Sequence, residues 1–467
     1  DTTAKQALLL QARILQSLSQ RLQNGLESLE LSDTHVFDAL RLHLLRIISI
    51  GLSGGDNGIA QNSVAEAGVS LLSFQEMIAC YAPGESFGQV MRNAIRNLQQ
   101  NTSFLQFNRA EFFSQFAGPL WQQLHQLQKE RGIPFLKEMG LVNTSSALLF
   151  DSAFFNAASF SQASAGTSNP YIVEIGNKLF TDKRLSGNGI RSCATCHQPQ
   201  YGYADHLAKN TSIDGKETIF RNTPTILYAA LQPVQFADSR LTFLEDQAKA
   251  VIENHSEMKG DLRKIAQAIS NDTVYKRLAV QAFQKPLLTE EDLTKSLAAF
   301  IRHKSPFSSP FDRYLNGDKN ALDATAIHGF NLFMGKAKCG TCHFMPLLNG
   351  VVPPHFSKME SEIIGVPKQN KGPYVVDADE GKYRVTGSPL HRFAFKTPTV
   401  RNSALTAPYM HNGIYKTLEE VIDFYDKGGG AGLGFSLPNQ TLPADPLKLT
   451  REEKHALVQF LKSLTDK

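Results

Sequence analysis

Several features that would place the chain in a simple class are missing from its 467 residues. No apolar run approaches the roughly 18 residues of a membrane-spanning helix, so we expect no transmembrane segment. The formal net charge is only +4 and no Lys/Arg cluster stands out, which argues against nucleic-acid binding. The chain starts at Asp1 without a signal-peptide pattern, which we interpret as a processed or trimmed N-terminus.

Cysteine is scarce, with five residues in all, and four of them fall in two copies of one short motif. The copies are Cys193-Ala194-Thr195-Cys196-His197 and Cys339-Gly340-Thr341-Cys342-His343. Two thiols at this spacing can each bond a vinyl group of one porphyrin, and the adjacent His then ligates the iron. A zinc site would need paired motifs or further His spacing. The sequence therefore predicts two covalently bound haem c groups and, because haem c is attached outside the bacterial cytoplasm, a periplasmic protein; a lipid anchor stays open.

The fifth cysteine, Cys80, belongs to an apolar helical run that includes Leu71, Phe74 and Ile78. Free cysteine in such a run is usually a small buried hydrophobe. We expect a buried core thiol without chemistry.

An internal repeat organises the chain around the two motifs. Residues 176–180 before the first motif resemble residues 329–333 before the second, and residues 222–247 align without gaps on residues 396–421. Two haem domains of common origin explain this pattern. We predict a first haem domain at 166–315 and a second at 316–467.

The segment before the repeat has its own pattern. Leu8, Leu15, Leu18, Leu22 and Leu26 recur at steps of three, four or seven, which indicates one apolar stripe on a helix. Similar amphipathic runs follow to about residue 131, and a Ser/Ala-rich stretch at 152–168 is typical of a linker. We predict a mainly α protein: an N-terminal helical bundle at 1–165 followed by two cytochrome c-like domains.

The residues around the motifs resemble the bacterial di-haem cytochrome c peroxidases, including their relatives of the MauG type. The resemblance covers about residues 170–467, and the N-terminal bundle lies outside it. It rests on five motifs: Leu179–Gly187, Arg221–Thr225, Leu244–Ala248, Ser256–Met258 and Thr406–Gly413.

This resemblance implies that the haem on His197 reacts with peroxide and the haem on His343 transfers electrons. Glu257 matches the family's catalytic glutamate and Gln247 its distal glutamine. Splitting the O–O bond requires a group that takes a proton from one oxygen and delivers one to the other, which a carboxylate in a low-dielectric pocket can do. A neighbouring amide can orient the peroxide.

The sixth ligand of each iron distinguishes branches of the family. In many members a loop His closes the first iron at rest, but the only candidate here, His206, lies too near the haem motif, so we expect an open first iron. At the second haem Tyr425 stands where typical peroxidases have Met, as in the MauG branch, and a phenolate would lower the reduction potential. Alternatively Tyr425 is an interior aromatic residue and Met410 is the ligand.

One departure from the family concerns charge transfer between the haems. The family commonly carries Trp at the position of Ala237, and the single Trp of this chain, Trp121, lies in the N-terminal part. Phe236 or a tyrosine could fill the gap, or charge could pass without an aromatic residue.

The resemblance also implies a calcium ion between the domains. The matching positions are the Asn222 side chain and the carbonyl groups of Thr406 and Pro408. Oxygen ligands completed by water suit Ca²⁺.

Three functions remain open from the sequence. The first is a peroxidase that reduces hydrogen peroxide to water with electrons from a donor such as cytochrome c or a cupredoxin. The second, MauG-like, uses peroxide to oxidise residues of a partner protein, with the N-terminal bundle as a docking element. The third is a non-catalytic di-haem electron carrier, which Glu257 and Gln247 argue against and which would bind cyanide at neither haem.

Overall fold

The computed structural model describes residues 2–26, 29–57, 59–136, 140–162, 169–435 and 437–467. The protein is mainly α, as predicted, and the strands that the described residues form are one antiparallel pair, β1 (Ser361–Glu362) and β2 (Phe395–Lys396). Within these residues no helix is both long and apolar enough to cross a bilayer.

The N-terminal segment holds six helices. They are α1 (Thr2–Leu26), α2 (Asp33–Arg46), α3 (Ser63–Ala79), α4 (Glu85–Gln100), α5 (Arg109–Phe112) and α6 (Gly118–Glu130). Helices α2 to α6 enclose an apolar core around Trp121, which is fully buried and donates through Nε1 to the Ser146 carbonyl at 2.9 Å. Helix α1 forms where the leucine stripe predicts it, but every side chain described from Ala4 to Leu26 is exposed.

The expectation for Cys80 is wrong, because its side chain is exposed. It follows the last residue of α3, whose buried residues include Leu71, Phe74 and Ile78. Cys80 lies two positions beyond Ile78, about 200° further round a helix, and so points away from the core.

The other α-helices of the described residues form two sets of six, one set for each Cys-x-x-Cys-His motif. The first set is α7 (Pro170–Thr181), α8 (Cys193–Cys196), α9 (Leu244–Glu253), α10 (Leu262–Ile269), α11 (Thr273–Phe283) and α12 (Glu290–Arg302). The second set is α13 (Pro310–Leu315), α14 (Ala324–Met334), α15 (Tyr383–Thr386), α16 (Leu418–Asp426), α17 (Gly429–Gly432) and α18 (Arg451–Ser463).

The two sets share one packing motif, which gives the sequence repeat a structural meaning. Helix α7 crosses α12 at Gly176, where a Cβ atom would overlap the backbone carbonyl of Ser296. Helix α14 crosses α18 at Gly329, where a Cβ atom would overlap the carbonyl of Ala456. Only glycine allows backbones this close.

An aromatic pair lies four residues beyond each of these contacts. The rings of Phe180 and Phe300 are 5.0 Å apart between centroids, and those of Phe333 and Phe460 are 5.1 Å apart. In both sets, therefore, an early helix and the last helix pack against each other through the same kind of crossing.

The N-terminal helices pack on the second set close to its haem motif. The Asn331 side chain on α14 accepts from the Ala110 amide at 3.1 Å and donates to Asn108 at 2.9 Å. A Cβ atom on Gly340, inside the second motif, would lie 3.3 Å from the Ser53 Cβ. The bundle thus covers one side of the second attachment loop.

Candidate functional site

The first Cys-x-x-Cys-His motif is a single helical turn, α8, followed directly by His197. Ser192 caps this turn, and its backbone N–H donates to the Thr195 hydroxyl at 3.0 Å. The Nδ1 of His197 lies 2.9 Å from the Tyr203 carbonyl, which orients the ring and leaves Nε2 for a metal. Burial lowers the pKa of His197, so the imidazole is neutral, as a ligand must be.

The second motif is also tightly turned, over Cys339–Thr341. Burial lowers the pKa of His343 to about 4, so this imidazole is neutral too. A side chain larger than glycine at Gly340 would meet the Met334 sulfur at 2.6 Å. The loop therefore packs closely on the end of α14.

The residues present fit two haem c groups. None of the four motif cysteines forms a disulfide. Burial raises the pKa of Cys193 and Cys339 to about 12, so both are neutral thiols beside neutral imidazoles. Two free thiols and one partly buried imidazole at each motif are the donor set that covalent haem attachment requires.

Glu257 lies near the first motif, just beyond α9. Its Oε1 accepts from Asn254 at 2.8 Å, and Arg191 donates to its backbone carbonyl at 3.4 Å. Burial raises the pKa of Glu257, and the guanidinium of Arg240 acts in the opposite direction. Burial, then Asp205 and then Glu257 raise the pKa of Cys196 to about 11, so Glu257 lies within electrostatic range of the first haem motif.

The turn that carries Glu257 is held by the segment before the first motif. The Gly187 amide donates to the Met258 carbonyl at 2.8 Å, and a Cβ atom on Gly187 would overlap the Lys259 carbonyl. Two of the sequence motifs, Leu179–Gly187 and Ser256–Met258, are therefore in direct contact.

Gln247 lies in the first turn of α9, and its side chain is half-buried. Gln247 lies near the start of α9 and Glu257 lies four residues beyond its end, so the two residues flank this helix. Their direct approach to a bound peroxide stays a prediction.

His206 is engaged away from the first motif. Its Nε2 lies 3.0 Å from the Leu405 carbonyl in the second half of the chain, and its ring stacks on Tyr201 at 3.9 Å. These contacts hold the His206 ring against Tyr201 and the segment around Leu405.

Tyr425 lies on α16 and its phenol faces the second motif. Burial is the main cause of its raised pKa, and Cys339, Cys342 and Glu362 raise it further. The Tyr425 phenol therefore lies within electrostatic range of both cysteines of the second motif. Met410 lies in a left-handed turn with φ +71°, and its carbonyl accepts from the Gly413 amide at 3.2 Å.

Asn222 lies against the segment that contains Thr406 and Pro408. Its backbone amide donates to the His411 carbonyl at 2.8 Å, and its side-chain amide donates to the Leu207 carbonyl at 2.8 Å. The side-chain oxygen is not used by these bonds. The described residues contain no cluster of three or more His, Cys, Asp or Glu able to hold a metal, so any cation here would depend on amide and carbonyl oxygens.

The junction between the two halves contains ion pairs and hydrogen bonds that the sequence did not reveal. Arg221 binds Asp238 at 2.6 Å and Asp379 at 2.6 Å, and so ties the Arg221–Thr225 motif to the second half. The Lys396 amide donates to the Ala237 carbonyl at 2.7 Å, while its ammonium group donates to Gln232 at 2.6 Å.

Arg240 was also missed, although it follows Ala237 by three residues. Its guanidinium lies 3.5 Å from the centroid of the Phe236 ring and binds Asp238 at 2.9 Å. Phe236 comes directly before Ala237, the position at which the family commonly carries Trp. The Arg240 guanidinium covers the face of the Phe236 ring.

Known proteins are similar to about two thirds of this chain. A family model described as di-haem cytochrome c peroxidase matches residues 170–320. The cytochrome-c peroxidase IdrP1 of a Pseudomonas species is 33% identical over 318 residues, which are 63% of this chain and 80% of the relative. The methylamine utilization protein MauG of Methylorubrum extorquens is 33% identical over 297 residues, 63% of this chain and 78% of the relative.

One solved structure with sequence similarity is that of a MauG-like protein associated with microbial copper homeostasis. It is 30% identical with a TM-score of 0.55, and the match covers 64% of this chain and 90% of that one. The N-terminal helices lie outside the family-model match.

Proposed function

This chain belongs to the di-haem cytochrome c peroxidase family, and from that premise we propose that it reduces hydrogen peroxide to water with electrons from a small donor such as a cytochrome c or a cupredoxin. The observation that supports this best is Glu257: a carboxyl with a raised pKa, held by Asn254 and within electrostatic range of the first haem motif. An electron carrier has no use for such a group. A peroxidase needs one, because each peroxide consumes two electrons and two protons.

Bound haem c supplies an iron that exchanges electrons and binds peroxide. His197 and His343 would hold the two irons. Glu257 would take the proton from one peroxide oxygen and deliver it to the other as the O–O bond breaks. With two electrons from the donor and two protons from solvent, both oxygens leave as water. Gln247 orients the peroxide through its amide.

The test is the substitution Glu257→Gln, compared with Glu253→Gln at the exposed end of α9. General acid–base catalysis contributes about 10²- to 10⁴-fold, so we expect kcat for peroxide to fall by roughly this factor in Glu257→Gln and to stay unchanged in Glu253→Gln. The optical spectra should show both haems in each variant. Equal turnover in the two variants would remove Glu257 from the mechanism.

Tyr425 favours a second candidate, a MauG-like enzyme that uses peroxide to oxidise residues of a partner protein. A phenolate ligand would lower the potential of the second haem and make it a poor acceptor of electrons from a cytochrome. Rapid mixing of the fully oxidised protein with one equivalent of hydrogen peroxide separates the cases. A fast optical change without prior reduction, together with no turnover on donor cytochromes, would favour this candidate; a change only after one haem is reduced would favour a reductively activated peroxidase.

The remaining assignments are part of the same proposal. The protein works in the periplasm, as covalent haem c requires, and its chain divides into 1–165, 166–315 and 316–467.

A Ca²⁺ ion binds between the haem domains through the Asn222 side chain and the carbonyls of Thr406 and Pro408. Removal of calcium with a chelator should slow electron transfer between the haems, and Asn222→Ala should weaken calcium binding measured by calorimetry.

A further inference from the structure

Helix α1 differs from all other helices of eight or more residues in the described chain. Each of those helices buries part of its surface, whereas α1 is exposed on every side from Ala4 to Leu26. A helix of 25 residues with an apolar stripe is not expected to stand alone in water, because helix stability in proteins comes mainly from packing that stripe.

The apolar side of α1 is wide, and Gln11 is a polar residue within it. Leu8 and Leu15 are each 70% exposed, Leu22 is 66%, Leu18 is 53% and Leu26 is 50% exposed. Leu10 and Ile14 extend this face, which covers nearly half of the circumference at about 3.6 residues per turn. We call it the leucine face. An exposed apolar surface of this extent marks an interaction site.

The charges of α1 have a single sign. Its charged residues are Lys5, Arg13 and Arg21, and it contains no Asp or Glu. At about 100° per residue, Lys5 and Arg13 lie outside the leucine face, and Arg21 lies at its border between Leu10 and Ile14. The partner that α1 binds should therefore have an apolar interior and an anionic boundary with water.

A second copy of α1 fits these features poorly. With Leu8, Leu15 and Leu22 at position a of a coiled coil, position d would hold Gln11, Leu18 and Gly25. Only one of these three d positions would then carry a large apolar side chain. The face is also wider than a seam of a and d positions. Two copies would bring cations together without a carboxylate from α1 to pair with them.

We propose that α1 binds the surface of a phospholipid bilayer that contains anionic lipid. The helix lies in the plane of the interface, with the leucine face among the acyl chains and Lys5, Arg13 and Arg21 at the anionic headgroups. The packed bundle begins only at α2, so α1 can hold the haem domains at a membrane without changing their fold.

The experiment is sedimentation of the intact, haem-loaded protein with two kinds of vesicle, one of phosphatidylcholine and one of phosphatidylcholine with phosphatidylglycerol. We expect at least tenfold tighter binding to the anionic vesicles, weakening as salt is added because the Debye length shrinks. Leu15→Glu with Leu22→Glu should abolish binding. Arg13→Gln with Arg21→Gln should remove most of the preference for anionic lipid.

The matched control is Gln16→Ala with Gln23→Ala, which changes the polar side of α1 and leaves both the leucine face and the cations intact. This variant should bind as the unmodified protein does, and all variants should keep their haem spectra and their peroxide turnover. Absent or equal binding to the two vesicles would overturn the proposal. So would self-association without lipid that Leu15→Glu with Leu22→Glu abolishes, because the leucine face would then belong to a second copy.

Discussion

At the scale of single residues, Glu257 and Arg240 form the pair on which the proposed chemistry depends. Their spacing of 17 positions gives no sequence signal, and only the fold brings the guanidinium into range of the carboxyl. The family resemblance identified Glu257, but the cation that counteracts its burial required the structure.

This pair predicts a shift in the pH profile. Glu257 must be ionised to accept a proton, so turnover falls as the pH drops through its raised pKa. Arg240→Gln removes a charge that lowers this pKa, so the pKa rises and the acid limb of kcat/KM moves to higher pH. Arg191, which binds the Glu257 carbonyl, remains in place. The control is Arg263→Gln, an exposed position on α10, whose profile should match that of the unmodified protein.

Tyr425 predicts an electrochemical outcome. If its phenolate binds the second iron, Tyr425→Phe removes an anionic donor and the potential of that haem rises. Axial ligands set haem potentials over a range of about 0.8 V, so we expect a rise on the order of 0.1 V in a spectroelectrochemical titration. Tyr415→Phe removes a neighbouring buried phenol and should leave the potential unchanged. An unchanged potential in Tyr425→Phe would return Met410 to consideration.

At the scale of helices, the repeat was visible in the sequence but its cause was not. Residues 176–180 and 329–333 resemble each other because each set places a glycine against the backbone of a helix more than 100 residues further along the chain. A one-dimensional pattern does not reveal such a contact, since the partners Ser296 and Ala456 are different residue types.

The crossing at Gly329 predicts a loss of stability. Gly329→Ala forces a methyl group into the Ala456 carbonyl and against the Phe460 Cβ, which lies 2.8 Å from the position of the added carbon. Overpacking of this kind costs about 1–3 kcal/mol, and we expect the upper part of that range because the obstacle is backbone. Denaturant unfolding followed by circular dichroism measures the change. Gly140→Ala, at a glycine with no atom within 4 Å of its added carbon, should change stability little.

At the scale of the whole molecule, the N-terminal bundle and the second haem domain meet around Arg109. This residue is fully buried, and its guanidinium donates to the carbonyls of Leu52 at 2.6 Å, Phe104 at 2.7 Å and Phe107 at 3.2 Å. It also lies 3.1 Å from a Cβ atom placed on Gly335, just beyond α14. One cation thus organises a loop of the bundle against the haem domain.

Arg109→Met should therefore loosen this contact. It leaves three carbonyls without their donor, and each buried unsatisfied group costs about 1–3 kcal/mol, so we expect a total loss of at least 2 kcal/mol. Hydrogen exchange should show faster exchange at α5 and in the loop around Leu52, whereas the exposed substitution Arg96→Met should leave both unchanged. Protection equal to that of the unmodified protein would show that the loop does not depend on Arg109.

The sequence predicted the helical class, the two attachment motifs and the helix of α1, because each depends on local spacing. It did not predict that α1 would stay unpacked or that Cys80 would be exposed, since burial depends on what lies opposite a helix. The links Arg221–Asp379 and Lys396–Gln232 span more than 150 residues and follow from tertiary structure alone.

The paired glycine crossings have one more consequence. Because α7 meets α12 and α14 meets α18, the chain enters and leaves each haem unit at neighbouring points. A unit closed in this way can be duplicated in tandem by a single connection, and residues 303–323 between α12 and α14 are such a connection. Each half can then change around its own motif while its frame stays the same, so that one polypeptide carries two haem units with different surroundings.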